Sequence, residues 1–166
     1  MKDLIKKIQD KIVDYVFEIS DRPMSFMELL KTNKLYDDKM PLEGNIAGFK
    51  MNKKKAYLIF FILWNLVILP IVAIFHSIIA KLDCHVSIVL AIVFTLLFFA
   101  SFSIFKEWLY EEVTLKQIKK NWSHHFPVFT YEKNHKLITQ IYTEALEKEI
   151  PQHELRVFIF DKLSSL

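Results

Sequence analysis

The stretch Ala56–Ala80, AYLIFFILWNLVILPIVAIFHSIIA, decides the fold. Val86–Phe105, VSIVLAIVFTLLFFASFSIF, repeats its message after only five residues, Lys81-Leu82-Asp83-Cys84-His85. About 20 consecutive apolar residues in a helix match the roughly 30 Å hydrocarbon thickness of a bilayer. Five residues can turn a chain round but cannot build a further element. The sequence therefore predicts an all-α integral membrane protein: a two-helix antiparallel transmembrane hairpin flanked by helical N- and C-terminal cytoplasmic segments. The expected parts are residues 1–55, the hairpin 56–105 (spans 56–80 and 86–105, turn 81–85), and residues 106–166. Two buried helices of a soluble protein are excluded as an alternative, because no amphipathic partner surface is large enough to cover both runs.

The rest of the 166 residues divides into two pieces, each near the lower limit for an independent core. They are expected to pack on each other, on the membrane surface or on a partner. Positive charge comes almost wholly from lysine, with Arg22 and Arg156 the only arginines. The net charge of +3 is too small and too dispersed for nucleic acid, and no RRM, zinc-finger or P-loop pattern occurs. Cys84 is the sole cysteine, which rules out an intrachain disulfide. The only glycines, Gly44 and Gly48, cannot make a glycine-rich phosphate loop. A bias towards Lys, Ile, Phe and Asn points to an AT-rich bacterial genome. The first 20 residues alternate charge with single aliphatics and lack the continuous apolar core of a cleavable signal. Ala56–Ala80 is thus expected to serve as an uncleaved insertion signal.

Orientation follows from the lysines beside the spans. Lys50, Lys53, Lys54 and Lys55 precede the first, and Lys106, Lys116, Lys119 and Lys120 follow the second, whereas the turn carries Lys81 alone, beside Asp83. The bias places both termini in the cytoplasm of a bacterium, with a multi-pass chain in its inner membrane. Tyr57, Trp108 and Tyr110 suit interfacial anchors on the inner side. The sequon Asn121-Trp122-Ser123 then lies in the cytoplasm and is a chance match.

Small residues at four-residue spacing let helices approach closely in lipid. Ala73, Ser77 and Ala80 cluster near the turn on the first span, and Ser87, Ala91 and Thr95 on the second, while Phe94, Phe98, Phe102 and Phe105 fill the inner half. The pattern predicts a tapered hairpin, tight near residues 73–95 and splayed over the phenylalanines. Pro70 removes the bond to the Leu66 carbonyl and predicts a bend. Asn65 either bonds across a subunit interface, or lines a polar path, or returns its amide to the carbonyl of Phe61. No Asp, Glu, Lys or Arg lies in either span, which argues against a proton relay or ion-coupled transporter.

Ahead of the spans, Ile5, Ile8, Ile12, Tyr15 and Ile19 make a heptad seam on a helix over 2–19. Its opposite face is nearly neutral, which favours packing against protein over lying on the membrane. Ser25-Phe-Met-Glu28 is a capping box opening a short helix to about Lys31, followed by a loop over 33–50. The second span is expected to continue to about Trp122, with Ile104, Trp108, Leu115, Ile118 and Trp122 on a face that requires cover. Ser123–Tyr131 reads as a turn. Asn134 is placed to cap a helix to Glu149 with Leu137, Ile141 and Ala145 as its core stripe. Pro151 is placed at the start of a last helix, within which 157–160 fits strand equally well.

Catalytic and metal signatures are missing. His124 and His125 point apart, His135 and His153 lie far off, and no His-Glu-x-x-His or Cys-x-x-Cys spacing occurs. His76, Asp83, Cys84 and His85 offer ligand types for a soft metal, but with one thiol and a tight turn they read as polar turn residues at a headgroup boundary. Glu107, Glu111 and Glu112 have lysines at ion-pairing distance along the helix. The expectation is a non-enzymatic membrane protein with no cofactor and no metal, partnered by lipid and by other membrane-protein subunits or copies of itself. It acts as a subunit or anchor of a larger complex, with Asn65, Pro70, Ala73, Ser77, Ala80, Ser87, Ala91 and Thr95 for helix packing and oligomer contacts. The cytoplasmic interaction face comprises the heptad seam with Trp108, Leu115, Ile118 and Trp122. One rival reading is a homo-oligomeric pore lined by Asn65 and the Ser87/Ala91/Thr95 stripe and gated through its cytoplasmic part. Another, resting on the acidic stretch Glu144–Glu154 and the tail Leu163-Ser-Ser-Leu166, is a secreted effector inserted into host membranes.

Overall fold

The computed structural model describes residues 2–46, 48–79 and 84–165. Among them are six helices and one two-stranded ribbon. The elements run α1 (Lys2–Val16), β1 (Phe17–Ile19), α2 (Phe26–Asp37), β2 (Phe49–Met51), α3 (Lys53–Ile79), α4 (Cys84–His125), α5 (Tyr131–Glu147) and α6 (Leu155–Ser164). The chain forms two compact units, residues 1–18 with 50–109 and residues 19–49 with 110–166.

The first unit holds both apolar runs. Asn52 opens α3 by accepting the N–H of Lys55 at 3.3 Å, so the helix starts three residues ahead of the apolar run. It passes through Pro70 to Ile79. Residues 80–83, including Ala80 and most of the expected turn, lie outside the described residues. The turn is shorter than the sequence suggests at its far end, since Cys84 and His85 already belong to α4.

Rings, rather than small residues, join the two runs. Tyr57 stacks on Phe102 at 4.2 Å, Phe60 meets Phe98 and Phe102 at 5.1 and 5.2 Å, and Trp64 meets Phe94 and Phe98 at 5.6 and 5.5 Å. Partners on α4 recede in number as those on α3 advance, the order of an antiparallel pair. Phe60 is buried at the centre of this stack, while Ala73, Ser77, Ser87, Ala91 and Thr95 are all exposed. The expected tightening over the small residues is therefore absent within one chain. Edge-to-face rings bring attraction beyond their contact area, and the bulk of the rings keeps the helix backbones apart.

The N-terminal helix stops earlier than its heptad pattern implies. It ends at Val16, and residues 17–19 leave as β1, pairing with β2 through Ser20 N–H to Gly48 O at 2.8 Å and Asn52 N–H to Val16 O at 2.9 Å. Ile19 thus belongs to the ribbon. A β-branched and aromatic run, Val16-Phe17 before Ile19, favours the extended chain once a partner strand is offered. On α1, Val13 and Val16 are buried where the helix packs on α3.

The second unit has its own core. Leu29 and Leu30 of α2, Ile118 and Trp122 of α4, Phe126, Ile138 and Ile141 of α5, and Leu155 and Ile159 of α6 form one buried cluster. The capping box is present, with Ser25 N–H donating to Glu28 Oε2 at 2.8 Å and Glu28 N–H to Ser25 Oγ at 3.3 Å. Three boundaries differ from those the sequence pattern predicts. Helix α2 runs on to Asp37, six residues beyond Lys31, because Leu29, Leu30, Thr32 and Asn33 find a packing surface on α5 that local propensity cannot foresee. Thr130, not Asn134, is the cap residue of α5; Asn134 sits inside the first turn and donates to the Thr130 carbonyl at 2.9 Å. Likewise Pro151 starts a turn, accepting from Glu154 and Leu155, and α6 begins only at Leu155. Residues 157–160 are helical.

With two glycines in the whole chain, α2 and α5 end on other residues. Lys39 and Glu149 adopt φ of 54° and 53°, and the next N–H reaches back, Met40 to Leu35 O and Ile150 to Ala145 O, each at 3.0 Å. These are Schellman-type closures built on residues that strain there.

Candidate functional site

Two regions stand out, one in each unit. The first is the surface of the apolar runs. Residues of α3 and α4 that elsewhere would form a core are exposed, among them Leu66, Leu69, Ile74, Val89, Leu96 and Phe99. Their polar neighbours are satisfied within their own helix. Asn65 Nδ2 donates to Phe61 O at 2.8 Å, Thr95 Oγ1 to Ala91 O at 2.8 Å, and Ser103 Oγ to Phe99 O at 3.2 Å. Of the three readings of Asn65, the bond to its own helix is the one observed. On α4, Ile88, Ala91, Ile92, Thr95 and Leu96 outline a shallow apolar groove.

The second region is a buried polar cluster between α2 and α5. Asp37 accepts three bonds, from His135 Nδ1 at 2.8 Å, Thr139 Oγ1 at 2.6 Å and Asn33 Nδ2 at 3.3 Å. Asn33 also donates to Thr139 Oγ1 at 2.8 Å and to the carbonyl of His135 at 3.1 Å. Tyr131 stacks on the His135 ring at 4.7 Å. Burial pushes the Tyr131 phenol well above its ordinary range, and Asp37 adds to the effect. Burial likewise raises Tyr36, with Glu111 and Glu112 adding their charge. A carboxylate that orients an imidazole through Nδ1–H is an element of acid–base catalysis. Here the one aliphatic hydroxyl of the cluster, Thr139, donates to the carboxylate itself. The arrangement locks α2 to α5, and it leaves Asn33 Oδ1 and the Tyr131 hydroxyl without a hydrogen-bond partner among the described residues.

On α4 a related pair secures the segment leading to α2. Met24 N–H donates to Asn121 Oδ1 at 2.9 Å, and His125 Nε2 bonds the Met24 carbonyl at 2.7 Å. Asn121 is buried and helical, so the sequon it heads is closed to glycosylation in the folded chain.

Ile118 and Trp122 are buried in the core, and Trp108 and Leu115 are half-buried. Ile104 of the same stripe is exposed, whereas Leu109 and Val113, on another face of α4, are fully buried. Ile5, Ile8 and Tyr15 of the heptad seam are exposed, and Ile12 and Ile19 half-buried. The sequence reading missed Asn33, Asp37, His135 and Thr139, two of which fell in the supposed loop. The spacing of His135 and Thr139, one helical turn apart, was the available signal. No group of three metal-ligating side chains converges among the described residues; Asp83 lies outside them.

Comparison with protein-family models, curated proteins and solved structures finds no match to this chain.

Proposed function

We propose that this is a non-enzymatic membrane protein that anchors a folded helical unit to a bilayer and serves as a subunit of a larger assembly. The observation that carries the reading is the exposure of the long apolar helices α3 and α4. Next to none of the most apolar stretch of either is buried inside the chain. In water such a surface would drive aggregation. In a bilayer it is the required surface, and the return of the Asn65, Thr95 and Ser103 donors to their own helix is what lipid demands. The ring stack then joins an antiparallel transmembrane hairpin, and the lysines before α3 and after residue 105 set both termini in the cytoplasm of a bacterial cell.

The assembly role rests on what the hairpin leaves open. The groove along Ala91 and Thr95 and the small residues Ala73 and Ser77 are exposed to a helix of another subunit or a second copy. The pore reading is the weaker one, since Asn65 and Thr95 each give a donor to their own helix and no Asp, Glu, Lys or Arg lies in either apolar run.

Alkaline carbonate washing followed by light scattering in mild detergent tests both halves. The chain should stay in the membrane pellet and then run as an assembly several times its 19.8 kDa mass. Release by carbonate contradicts the anchor, and a lone monomer contradicts the assembly.

A further inference from the structure

We infer that α1 is an interfacial helix, lying along the surface of the same bilayer with Leu4, Ile5, Ile8 and Tyr15 sunk among the lipid headgroups. The inference rests on the membrane reading above and adds a second, non-spanning contact to it.

Those four side chains remain 63, 51, 50 and 44 % exposed, although α1 already packs on α3 through another flank. At about 100° per residue they occupy one sector about 100° wide, while the buried Val13 and Val16 lie to one side of it. Protein contact is thus made by Val13 and Val16, and the seam itself stays open.

The charges are arranged for lipid. Lys7 and Lys11 border the apolar sector on the side away from Val13 and Val16, and Asp3, Asp10 and Asp14 lie with Lys6 on the face opposite it. Lysines at the border can lay their methylenes on the acyl chains and raise their ammonium groups to the phosphates. The acids at the centre of the polar face point towards water.

Depth is fixed by one contact. The Lys55 ammonium sits 4.8 Å from the centre of the Tyr15 ring, and Lys55 immediately precedes the first apolar residue of the span. Tyr15 therefore stands at the level where the hydrocarbon begins, the level that tyrosine and lysine favour. Leu4, Ile5 and Ile8 continue the same face away from that point.

Spin labels on the full chain, reconstituted in phosphatidylethanolamine–phosphatidylglycerol vesicles, test this by collision with oxygen and with a water-soluble nickel complex. Labels are placed one at a time at Ile8→Cys, Asp10→Cys and Leu66→Cys in a Cys84→Ser background. Expected is an excess of oxygen collisions at positions 8 and 66 and an excess of nickel collisions at position 10. Nickel excess at 8 with oxygen excess at 66 overturns the inference and leaves the spans standing. Shielding of position 8 from both reagents also overturns it, by showing a protein partner, as does oxygen excess at both 8 and 10. Nickel excess at 66 overturns the membrane reading itself.

Discussion

Asn121 in α4 holds the backbone N–H of Met24 at 2.9 Å, although the two residues are 97 positions apart. The same amide donates to the carbonyl of Gln117 at 2.9 Å, so its donor and acceptor ends are both used. With His125 on the carbonyl of Met24, α4 thereby satisfies both backbone groups of Met24, the one buried residue between Asp21 and Ser25.

Replacing Asn121 by leucine orphans the Met24 amide, and a buried donor without a partner costs about 1–3 kcal/mol. Thermal unfolding followed by circular dichroism should show that loss for Asn121→Leu. The exposed neighbour Ser123→Ala should leave the midpoint unchanged.

The bonds on Asp37 form one unit rather than three separate contacts. A double-mutant cycle of Asp37→Ala and Thr139→Val should give a coupling of about 0.5–3 kcal/mol, with the double variant less destabilised than the sum. A coupling near zero would remove the lock.

Acid should weaken the start of α2 in a defined way. The backbone N–H of Ser25, then its hydroxyl, hold the Glu28 carboxyl below its ordinary range, with Arg22 a lesser contributor. A lowered folded-state value means stability present above the unfolded value, about 4.3, and lost as pH falls through the folded one. The difference in melting midpoint between the parent and Glu28→Ala should therefore be full at pH 7 and shrink below about pH 4.

Glycine belongs at the strained ends of α2 and α5. Glu149→Gly should stabilise the chain by up to about 1 kcal/mol, because a residue with a Cβ is disfavoured at positive φ. The thermal midpoint reads this directly, and a fall would show that the Glu149 side chain is needed in place.

How much of this was legible follows from range. The apolar runs, the capping box and the continuation of the second span into a long helix are signals carried by neighbouring residues, and all are found at their expected positions. The ribbon is not such a signal. Phe17–Ile19 meets Phe49–Met51 across 30 residues, and each strand is too short for its pattern to register. The end of α2 and the Asp37 cluster depend on α5, about 100 residues away, so Asn33 and Asp37 read locally as loop residues. The rings between the two apolar runs are visible in the sequence as a face of α4, but their pairing with Tyr57, Phe60 and Trp64 needs the register of both helices.

Membrane crossing is tested most directly by labelling the single thiol with an impermeant maleimide in right-side-out membrane vesicles. Cys84 should react from outside, while a thiol at Ser165→Cys in a Cys84→Ser background should react only after the vesicles are opened. Protection of Cys84 together with free reaction at position 165, or recovery of the chain in the soluble fraction, would contradict the account.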